Sequence, residues 1–291
     1  MTSTYQGPVL GWYAGNARDL PWRHRSATPW SVLVSEFMLQ QTPVSRVLPA
    51  HAAWLERWPR PASLAASTAA DAVRQWDRLG YPRRAIRLHA SARVIVEQHD
   101  GHVPAGAAVL RALPGVGDYT AAAVASFAFG ERNVVLDTNV RRVLARLVTG
   151  EELPGLVPSV AEKCLAESLL PADGMLAARW SVAVMELGAL VCTASRPRCA
   201  QCPVARHCAW LARGRPQSSR RRPAPAYDGS DRQCRGRLLS VLRNAADPLP
   251  EDDLIAAWSD AGQRARALAT LVADGLVTRR SDGTLALPGD S

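Results

Sequence analysis

Apolar residues recur at three- and four-residue intervals through most of the first 210 residues, and this pattern constrains the fold more than any other feature. Proline or glycine interrupts the pattern between segments, and no run of alternating apolar residues predicts a strand there. The sequence therefore predicts an all-α region with short connections. The predicted helices cover residues 31–41, 69–79, 83–98, 105–113, 118–129, 139–148, 160–170 and 178–190.

The chain changes character after residue 210. Residues 211–229 are rich in arginine, proline and serine, which predicts a basic, extended linker. Residues 230–291 predict three helices followed by a short hairpin. This order predicts a winged-helix-like module, a fold that binds DNA in some proteins and serves protein contacts or packing in others. The three helices cover 231–244, 251–259 and 261–274.

The 291-residue chain combines 47% hydrophobic with 21% charged residues, which is the composition of a soluble globular protein and excludes wholesale disorder. Its length predicts roughly two domains at about 150 residues each. No apolar run approaches the ~20 residues that a membrane span requires. The N-terminus lacks the basic and apolar segments of an export signal. We therefore expect a cytoplasmic protein with no membrane partner.

Basic residues outnumber acidic residues by 35 to 26, which gives a formal net charge of +9. Such an excess predicts a polyanionic partner, with nucleic acid ahead of a membrane surface, although an arginine-rich genome raises the same number. Lys163 is the only lysine, so every other basic residue is an arginine. Any mechanism built on a lysine Schiff base must therefore use Lys163 or another amine.

Four of the six cysteines fall within 17 residues, with the spacing C-x6-C-x2-C-x5-C. In a cytosolic chain such a cluster predicts a metal site rather than a disulfide framework. Four thiolates can ligate a cubane iron–sulfur cluster or a tetrahedral zinc ion, and the spacing alone does not decide between them. Arginines between the cysteines suit a phosphate contact as well as a plain structural metal site. The four cysteines are Cys192, Cys199, Cys202 and Cys208.

The segment LPGVGDYT, residues 113–120, lies between two predicted helices. Gly115 and Gly117 flank Val116 and allow the backbone to approach a ligand closely, beside the N-terminus of the following helix. In a basic, helical protein this arrangement predicts a helix–hairpin–helix phosphate clamp. The alternative is a tight turn between two helices with no ligand.

Two carboxylates stand out among apolar neighbours. Glu36 lies in SVLVSEFMLQQT, where desolvation disfavours the charged form and makes the side chain a candidate proton donor. Asp137 lies in VVLDTNVRRVLARL, where a helix begins, so it is a candidate helix cap as well as a candidate catalyst. Together, a neutral acid and an ionised carboxylate form the pair that breaks a glycosidic bond through an oxocarbenium-like state.

These motifs resemble, in order and spacing, those of the MutY-type adenine DNA glycosylases, members of the helix–hairpin–helix base-excision repair superfamily. The resemblance covers about residues 10–210 and rests on SEFMLQQT, LGYPRRA, LPGVGDYT, LDTNV and MELGALVC with the cysteine spacing. It implies a catalytic region over 1–210, with a six-helix barrel over about 27–130. The N-terminal segment and 131–210 would form a second domain with a 4Fe–4S cluster.

The resemblance also implies a partner and a reaction. The partner would be double-stranded DNA containing a mispaired adenine, acted on by a monomer in the bacterial cytoplasm or nucleoid. The reaction would be removal of adenine opposite 8-oxoguanine or guanine. Glu36 would protonate the adenine, Asp137 would stabilise the sugar cation, and Tyr119 and Asn139 would position these groups and the attacking water.

Further residues acquire roles through the same resemblance. Gln41, Thr42, Leu79 and Tyr81 would lie at the mismatch, and the hairpin Gly115, Val116 and Gly117 would bind DNA. Extruding a base costs a few kcal/mol, which such contacts must offset. The pocket for the extruded adenine would be lined by Arg18, Leu20, Trp22, Arg23, Val182 and Met185.

One difference from the strand-cutting relatives and two departures from the family pattern shape the expected activity. Tyr119 stands where strand-cutting relatives carry lysine, which predicts a monofunctional glycosylase without lyase activity. Val182 stands where the family commonly has Gln or Glu, and residues after 229 are too few for the usual Nudix-like domain. The alternative functions are a thymine/uracil mismatch DNA glycosylase and a non-catalytic iron–sulfur DNA-binding regulator.

Overall fold

The computed structural model describes residues 2–218 and 227–290. The chain divides into two compact units. The first consists of Met1–Val32, Ala105–Ala112 and Val116–Arg222. The second consists of Leu33–Pro104, Leu113–Gly115 and Pro223–Ser291.

Short helices joined by short connections make up most of the described chain. In order they are α1 (Thr2–Asn16), α2 (Pro29–Leu39), α3 (Val44–Arg57), α4 (Pro61–Ala65), α5 (Ala69–Trp76), α6 (Arg83–Gln98), α7 (Ala107–Leu110), α8 (Asp118–Phe129), α9 (Thr138–Leu144), α10 (Val160–Ser168), α11 (Gly174–Leu190), α12 (Ala209–Ala212), α13 (Asp231–Asn244) and α14 (Ala261–Ala273). Turns of 3-10 helix cover Pro21–Arg23, Asp77–Leu79, Cys199–Gln201, Ala205–His207 and Glu251–Ala257, and a π-helical turn covers Ala145–Thr149.

The predicted helical character of the first 210 residues is confirmed, and α6 and α8 have the predicted bounds. Two long helices, α1 and α3, were not predicted, because Pro8 and Pro49 lie inside them and obscure the apolar pattern. The predicted helix over 105–113 shortens to α7. The predicted helix over 251–259 is a 3-10 segment.

Helix α11 is central to the first unit, where it packs against α9 and α1. Its residues Trp180, Val184 and Leu187 are at most 4% exposed and belong to one apolar cluster with Leu144 of α9 and Val9 of α1. Full burial of one such side chain contributes about 1.5–3 kcal/mol. This packing fixes the start of α9 beside the C-terminal end of α11.

In the second unit, α6 packs against α4 and α5. Phe37 and Met38 of α2 are fully buried. Trp54 contacts Trp58 and Trp76 edge to face, with ring centroids 4.6 and 5.6 Å apart. The apolar face of α2, which carries Glu36, is therefore held in a rigid core.

The C-terminal module, residues 227–290, belongs to the second unit. Helix α13 packs against α14 and the Glu251–Ala257 turn, and it also contacts α5. Strands β1 (Thr278–Arg279) and β2 (Leu285–Ala286) pair antiparallel, and Leu249 adds a bridge to Leu285. Two α-helices with a 3-10 segment between them and a short hairpin after them thus make up the module, and its winged-helix-like character stays a prediction.

Across the residues that the structure describes, no helix is both long enough and apolar enough to cross a membrane.

Candidate active site

Asp137 lies at the N-terminus of α9 and is fixed by its own motif. One carboxylate oxygen accepts a hydrogen bond from the Val140 N–H at 2.6 Å, which makes Asp137 the N-cap of α9. The other accepts from the Asn139 side chain at 2.7 Å. Arg142 in turn donates to the Asn139 amide oxygen at 2.7 Å. The carboxylate is therefore held in one orientation through a short chain of hydrogen bonds.

The environment of Asp137 favours its neutral form. Burial raises the pKa of Asp137, against the opposing effects of the Val140 and Asn139 hydrogen bonds and the charge of Arg142. A carboxylate in such a site is poorly solvated, so a cation that forms beside it is stabilised more strongly than in water.

Helix α11 approaches α9 so closely that position 188 requires glycine. A Cβ atom on Gly188 would lie 2.7 Å from the Asn139 Cβ and 2.9 Å from its carbonyl oxygen. Arg142 also donates to the Gly188 carbonyl at 2.8 Å. Close packing of α11 against the start of α9 therefore helps to hold Asp137 and Asn139 in place.

Two buried arginines connect this motif to the cysteine loop. Arg142 donates to the Cys192 carbonyl oxygen at 2.8 Å. Arg146, one turn further on, donates to the Cys192 sulfur at 3.4 Å and to the carbonyls of Thr193 and Ala194 at 2.7 and 3.1 Å. Neither arginine was singled out from the sequence, although two arginines four residues apart on a buried helix are an unusual signal.

The four clustered cysteines are free thiols, each partly buried. Burial, with smaller contributions from the charges of Cys192, Cys208 and Cys199, raises the pKa of Cys202 to about 11 against the opposing effect of the Val204 backbone hydrogen bond. The other three thiols therefore lie within electrostatic reach of Cys202. Burial also raises the pKa of Cys192, against the hydrogen bond and charge of Arg146. Among residues 2–218 and 227–290, no three His, Cys, Asp or Glu side chains form a closed metal site.

The predicted pocket residues of the first unit surround a carboxylate that the sequence analysis missed. Glu186 of α11 is fully buried and accepts from Arg18 Nε at 2.5 Å and Nη2 at 3.0 Å, and from Arg23 Nη1 at 2.5 Å. Burial alone would raise the pKa of Glu186, but the hydrogen bonds and charges of Arg18 and Arg23 outweigh it and lower the pKa. A charged residue inside an otherwise apolar helix was the available signal.

The other residues of the predicted pocket differ in exposure. Leu20 and Trp22 are buried, whereas Val182 and Met185 are half-buried on α11. The Arg23 guanidinium also contacts the Met185 sulfur at 3.9 Å. The arginines are therefore already engaged, and the remaining side chains at this position are mostly apolar.

Glu36 lies on α2 in the second unit and is 5% exposed. Its neighbours Val34, Phe37 and Met38 are fully buried, as the sequence pattern predicted. Tyr119 lies in the first turn of α8, in the first unit, and is half-buried. The pairing of Glu36 with Asp137 stays a prediction.

Arg84 organises two turns that follow α2 and α5. It donates to the carbonyl oxygens of Phe37 at 2.9 Å, Gln40 at 2.5 Å and Gly80 at 2.9 Å, and to the Thr42 hydroxyl at 3.1 Å. Burial lowers the pKa of Arg84 to about 10, so it stays charged at neutral pH. We call residues 40–43 the α2–α3 turn and residues 77–82 the α5–α6 turn.

Strained backbone is concentrated in these two turns. Gln41, Asp77 and Tyr81 have φ angles of 57°, 40° and 49°, a region that favours glycine. Each such residue costs about 1–3 kcal/mol and persists only where the surrounding structure imposes it, and these positions are enriched at functional sites. The hydrogen bonds that Arg84 donates to Gln40, Thr42 and Gly80 support the backbone of both turns.

The predicted mismatch residues divide into two pairs. Gln41 and Tyr81 are exposed, Tyr81 by 50%. Thr42 and Leu79 are buried, and the Thr42 hydroxyl donates to the Leu79 carbonyl at 3.2 Å. Of these four residues, Gln41 and Tyr81 are thus exposed, while Thr42 and Leu79 hold the two turns together in this structure.

The two hairpin glycines have different surroundings. Gly115 has φ +80°, and a Cβ there would lie 2.7 Å from the Arg87 Cβ and 3.1 Å from the Phe37 ring. Gly117 is exposed, precedes α8 as its N-cap residue, and would accept a Cβ with no atom within 4 Å. Val116 between them is 6% exposed.

Comparison with known proteins gives the family. Residues 34–167 match the model of the HhH-GPD superfamily base excision DNA repair protein. The adenine DNA glycosylase of Mycobacterium tuberculosis H37Rv is 51% identical over 284 residues, covering 97% of this chain and 93% of that protein. The chain belongs to the adenine DNA glycosylases. The family's enzyme from Mycolicibacterium smegmatis is 49% identical over the same length, covering 95% of that protein.

More distant relatives share part of the chain. The thymine/uracil-DNA glycosylase of Pyrobaculum aerophilum is 34% identical over 205 residues, covering 69% of this chain and 88% of that protein. The structure of a thermostable thymine-DNA glycosylase superposes with a TM-score of 0.65 at 25% identity, covering 73% of this chain and 97% of that one. A trapped endonuclease III–DNA covalent intermediate superposes with a TM-score of 0.61 at 22% identity, covering 74% and 98%. The helix–hairpin–helix glycosylase fold is thereby shown for this adenine DNA glycosylase family member.

Proposed function

We propose that this chain is a base-excision repair enzyme that hydrolyses the N-glycosidic bond of adenine mispaired with guanine or 8-oxoguanine in double-stranded DNA. The observation that carries the proposal is its 51% identity to an adenine DNA glycosylase over nearly the full length of both chains. The buried Asp137, fixed by Asn139 and Arg142, supports it from the structure.

The chemistry follows from two carboxyl groups with opposite roles. Glu36, 5% exposed on a rigid helix, protonates the adenine ring and makes it a better leaving group. Asp137, as a poorly solvated anion, stabilises the sugar cation as the bond to the base breaks. Water then adds to the sugar cation and loses a proton to the Glu36 carboxylate, with Tyr119 and Asn139 positioning the reacting groups.

No lysine of the chain suits attack on the abasic sugar. Lys163, the only one, is exposed on α10, and Tyr119 occupies the start of α8. We therefore infer a monofunctional hydrolase in which a lysine imine with the DNA is not formed.

The base pocket that we infer is formed by Arg18, Leu20, Trp22, Arg23, Val182 and Met185. Because Glu186 pairs with both arginines, these ion pairs hold the pocket wall in place. Val182 gives the pocket an apolar side where a glutamine or glutamate would read a base edge. The pocket therefore makes one polar contact fewer to the adenine.

The residues Cys192, Cys199, Cys202 and Cys208 suit a 4Fe–4S cluster as the cofactor. All four are free, partly buried and electrostatically coupled, which is a donor set of the right chemistry. Arg146 donates to the Cys192 sulfur, a contact that stabilises a thiolate ligand. When bound, the cluster supplies structural bracing to the loop, and no step of the hydrolysis passes through it.

Native protein purified without reconstitution is expected to be brown, with absorbance near 400 nm and about four iron atoms per chain, because four thiolates ligate a cubane cluster. Cys199→Ser is expected to lose iron, whereas Cys164→Ser, at an exposed cysteine outside the cluster, keeps it. A colourless protein containing zinc would instead assign a tetrahedral zinc site.

The two hairpin glycines separate DNA binding from stability. Gly117→Ala is expected to weaken duplex binding about fivefold with an unchanged melting temperature, because the added methyl meets no protein atom and faces solvent. Gly115→Ala is expected to destabilise the fold by at least about 2 kcal/mol, from positive φ and close contacts. Equal affinity of the Gly117→Ala variant and the natural protein for DNA would remove the hairpin from the interface.

A panel of duplexes tests the substrate. Single-turnover assays on adenine opposite 8-oxoguanine, adenine opposite guanine and thymine opposite guanine are expected to show release of adenine only. Release of thymine would establish the thymine/uracil mismatch activity, which a 34% identical relative carries in its name. Binding to every duplex without base release would establish a non-catalytic DNA-binding regulator.

The domain plan is also part of the proposal. The catalytic region covers 1–210, the linker 211–229 and the winged-helix-like module 230–291, and the protein acts as a monomer. The panel above measures the preference for 8-oxoguanine over guanine.

A further inference from the structure

The C-terminal module contacts both ends of the α5–α6 turn. At one end, the Arg243 guanidinium of α13 donates to the carbonyl oxygen of Asp77. At the other end, the Asp274 carboxylate pairs with Arg83, the first residue of α6, at 3.1 Å. Leu79 and Tyr81 lie between these two contact points.

A third contact ties the end of the module to α5. Asp290 accepts two hydrogen bonds from Arg74, at 2.9 and 2.6 Å. A Cβ on the neighbouring Gly289 would meet the Thr68 Cβ at 3.5 Å, so the two backbones are in close approach. The module is thus bound to the helix that leads into the turn as well as to the turn itself.

These contacts fall where the backbone needs support. Asp77, the acceptor for Arg243, has φ 40°, and Tyr81 has φ 49°. Such conformations persist only where surrounding contacts impose them. Arg84 braces the turn from inside, and Arg243 is the contact that braces it from the module.

The charge of the module argues against a second DNA-reading surface. Residues 227–291 hold eight arginines and ten acidic residues, whereas the whole chain has a net charge of +9. Arginines of α14 and the hairpin are engaged within the protein: Arg264 with the Trp258 carbonyl, Arg266 with Asp231, and Arg279 with Glu251. A surface that tracks phosphates carries an excess of positive charge, which the sequence of this module does not provide.

We propose that the C-terminal module is a brace that fixes the conformation of the α5–α6 turn and thereby sets mismatch discrimination, with Arg243 as its main positioning residue. The inference rests on the proposed function only for its catalytic readout. In this proposal, contacts from the C-terminal module order the turn that holds Tyr81, and the module does not itself read DNA.

Hydrogen exchange in the free protein tests the brace directly. Arg243→Met is expected to speed amide exchange in a peptide spanning residues 77–84 at least fivefold, with peptides from α8 and α11 unchanged. Arg237→Met, an exposed arginine of the same helix, is the matched control and is expected to leave this exchange as it is. Arg243→Lys is expected to restore part of the protection, because the ammonium also donates to a carbonyl.

Single-turnover excision at varied enzyme concentration gives the functional readout. For adenine opposite guanine, Arg243→Met is expected to raise the half-saturating enzyme concentration about fivefold, while the limiting rate stays within twofold and affinity for a matched duplex is unchanged. A purely structural defect would lower the limiting rate and raise every half-saturating concentration together. If the natural protein releases no adenine, the proposed function fails, and the exchange experiment still decides the brace.

A charge swap distinguishes loss of the Arg74–Asp290 ion pair from a failure of the variant to fold. Arg74→Asp and Asp290→Arg are each expected to speed exchange in the 77–84 peptide, and the double variant is expected to restore it, because the pair is re-formed with reversed charges. Unchanged exchange in Arg243→Met and in both single swap variants would overturn the brace. Failure of the double variant to recover would overturn the part assigned to Asp290.

Discussion

Asp137→Asn is expected to lower the single-turnover rate of adenine release by about a thousandfold, while binding of the mismatched duplex is kept. The carboxylate stabilises positive charge on the sugar in the transition state, and removal of one preorganised group of this kind costs about 10²–10³ in rate or more. The asparagine keeps the size of the side chain and an oxygen to cap α9. The loss is therefore one of chemistry and not of structure.

The same variant is expected to melt at the same temperature as the natural protein or slightly higher. Burial raises the pKa of Asp137, so at neutral pH the folded protein holds a carboxylate that its surroundings disfavour. This unfavourable contribution is present above the raised pKa and disappears as the pH falls through it. Replacing the charge by a neutral amide removes it at every pH.

Asp173→Asn provides the matched control for this result. Asp173 is the exposed N-cap of α11 and accepts from the Leu176 N–H at 2.8 Å, so it repeats the capping role of Asp137 away from the motif. Its variant is expected to release adenine at the natural rate. If Asp137→Asn retained more than a tenth of the natural rate, Asp137 would be a helix cap only.

The pH dependence of the natural protein follows from the same group. Excision requires the Asp137 carboxylate, so the limiting rate is expected to fall on the acid side with an apparent pKa above the ordinary value of 3.8. The measurement is a single-turnover pH profile between about pH 4 and 9.

Arg84→Met is expected to lower the free energy of unfolding by about 3 kcal/mol and to weaken mismatch binding at the same time. The variant leaves the buried carbonyls of Phe37 and Met38 without this donor, and each unsatisfied buried acceptor costs about 1–3 kcal/mol before relaxation. It also releases the strained α2–α3 and α5–α6 turns together. Urea unfolding and duplex affinity measure the two effects.

Arg93→Met, on the same helix, is the control for Arg84→Met. Arg93 is 61% exposed and pairs only with Glu97 four residues on, at 3.3 Å, within the described contacts. Its loss is expected to change stability by less than about 0.5 kcal/mol. Equal effects of the two substitutions would show that Arg84 has no special role in the turns.

The sequence predicted the structure best where the apolar periodicity and a motif indicate the same element. Helices α6 and α8 begin and end as predicted, and the burial around Glu36 follows from its apolar neighbours. The contacts of Arg84 and Glu186 could not be predicted in the same way, because each depends on residues more than 40 positions away that only the folded chain brings together. Their one local signal was a charge in an apolar setting.

The two proline-containing helices illustrate a second limit. Pro49 removes one hydrogen bond from α3, yet Val47, His51 and Trp54 on the same helix are buried. Tertiary packing of that face therefore outweighs the local cost of the proline. The residues next to Pro49 in the sequence do not reveal this packing energy.

Helix α11 carries the half-buried Val182, the ion-paired Glu186 and the tightly packed Gly188, and it ends just before Cys192. A helix advances about 1.5 Å and turns about 100° per residue. Inserting or deleting a single residue between Val182 and Cys192 would therefore swing every side chain on one side of the change by more than a quarter of a revolution relative to the other side. The number of residues between Val182 and Cys192 is therefore fixed, whereas surface loops tolerate insertions more readily.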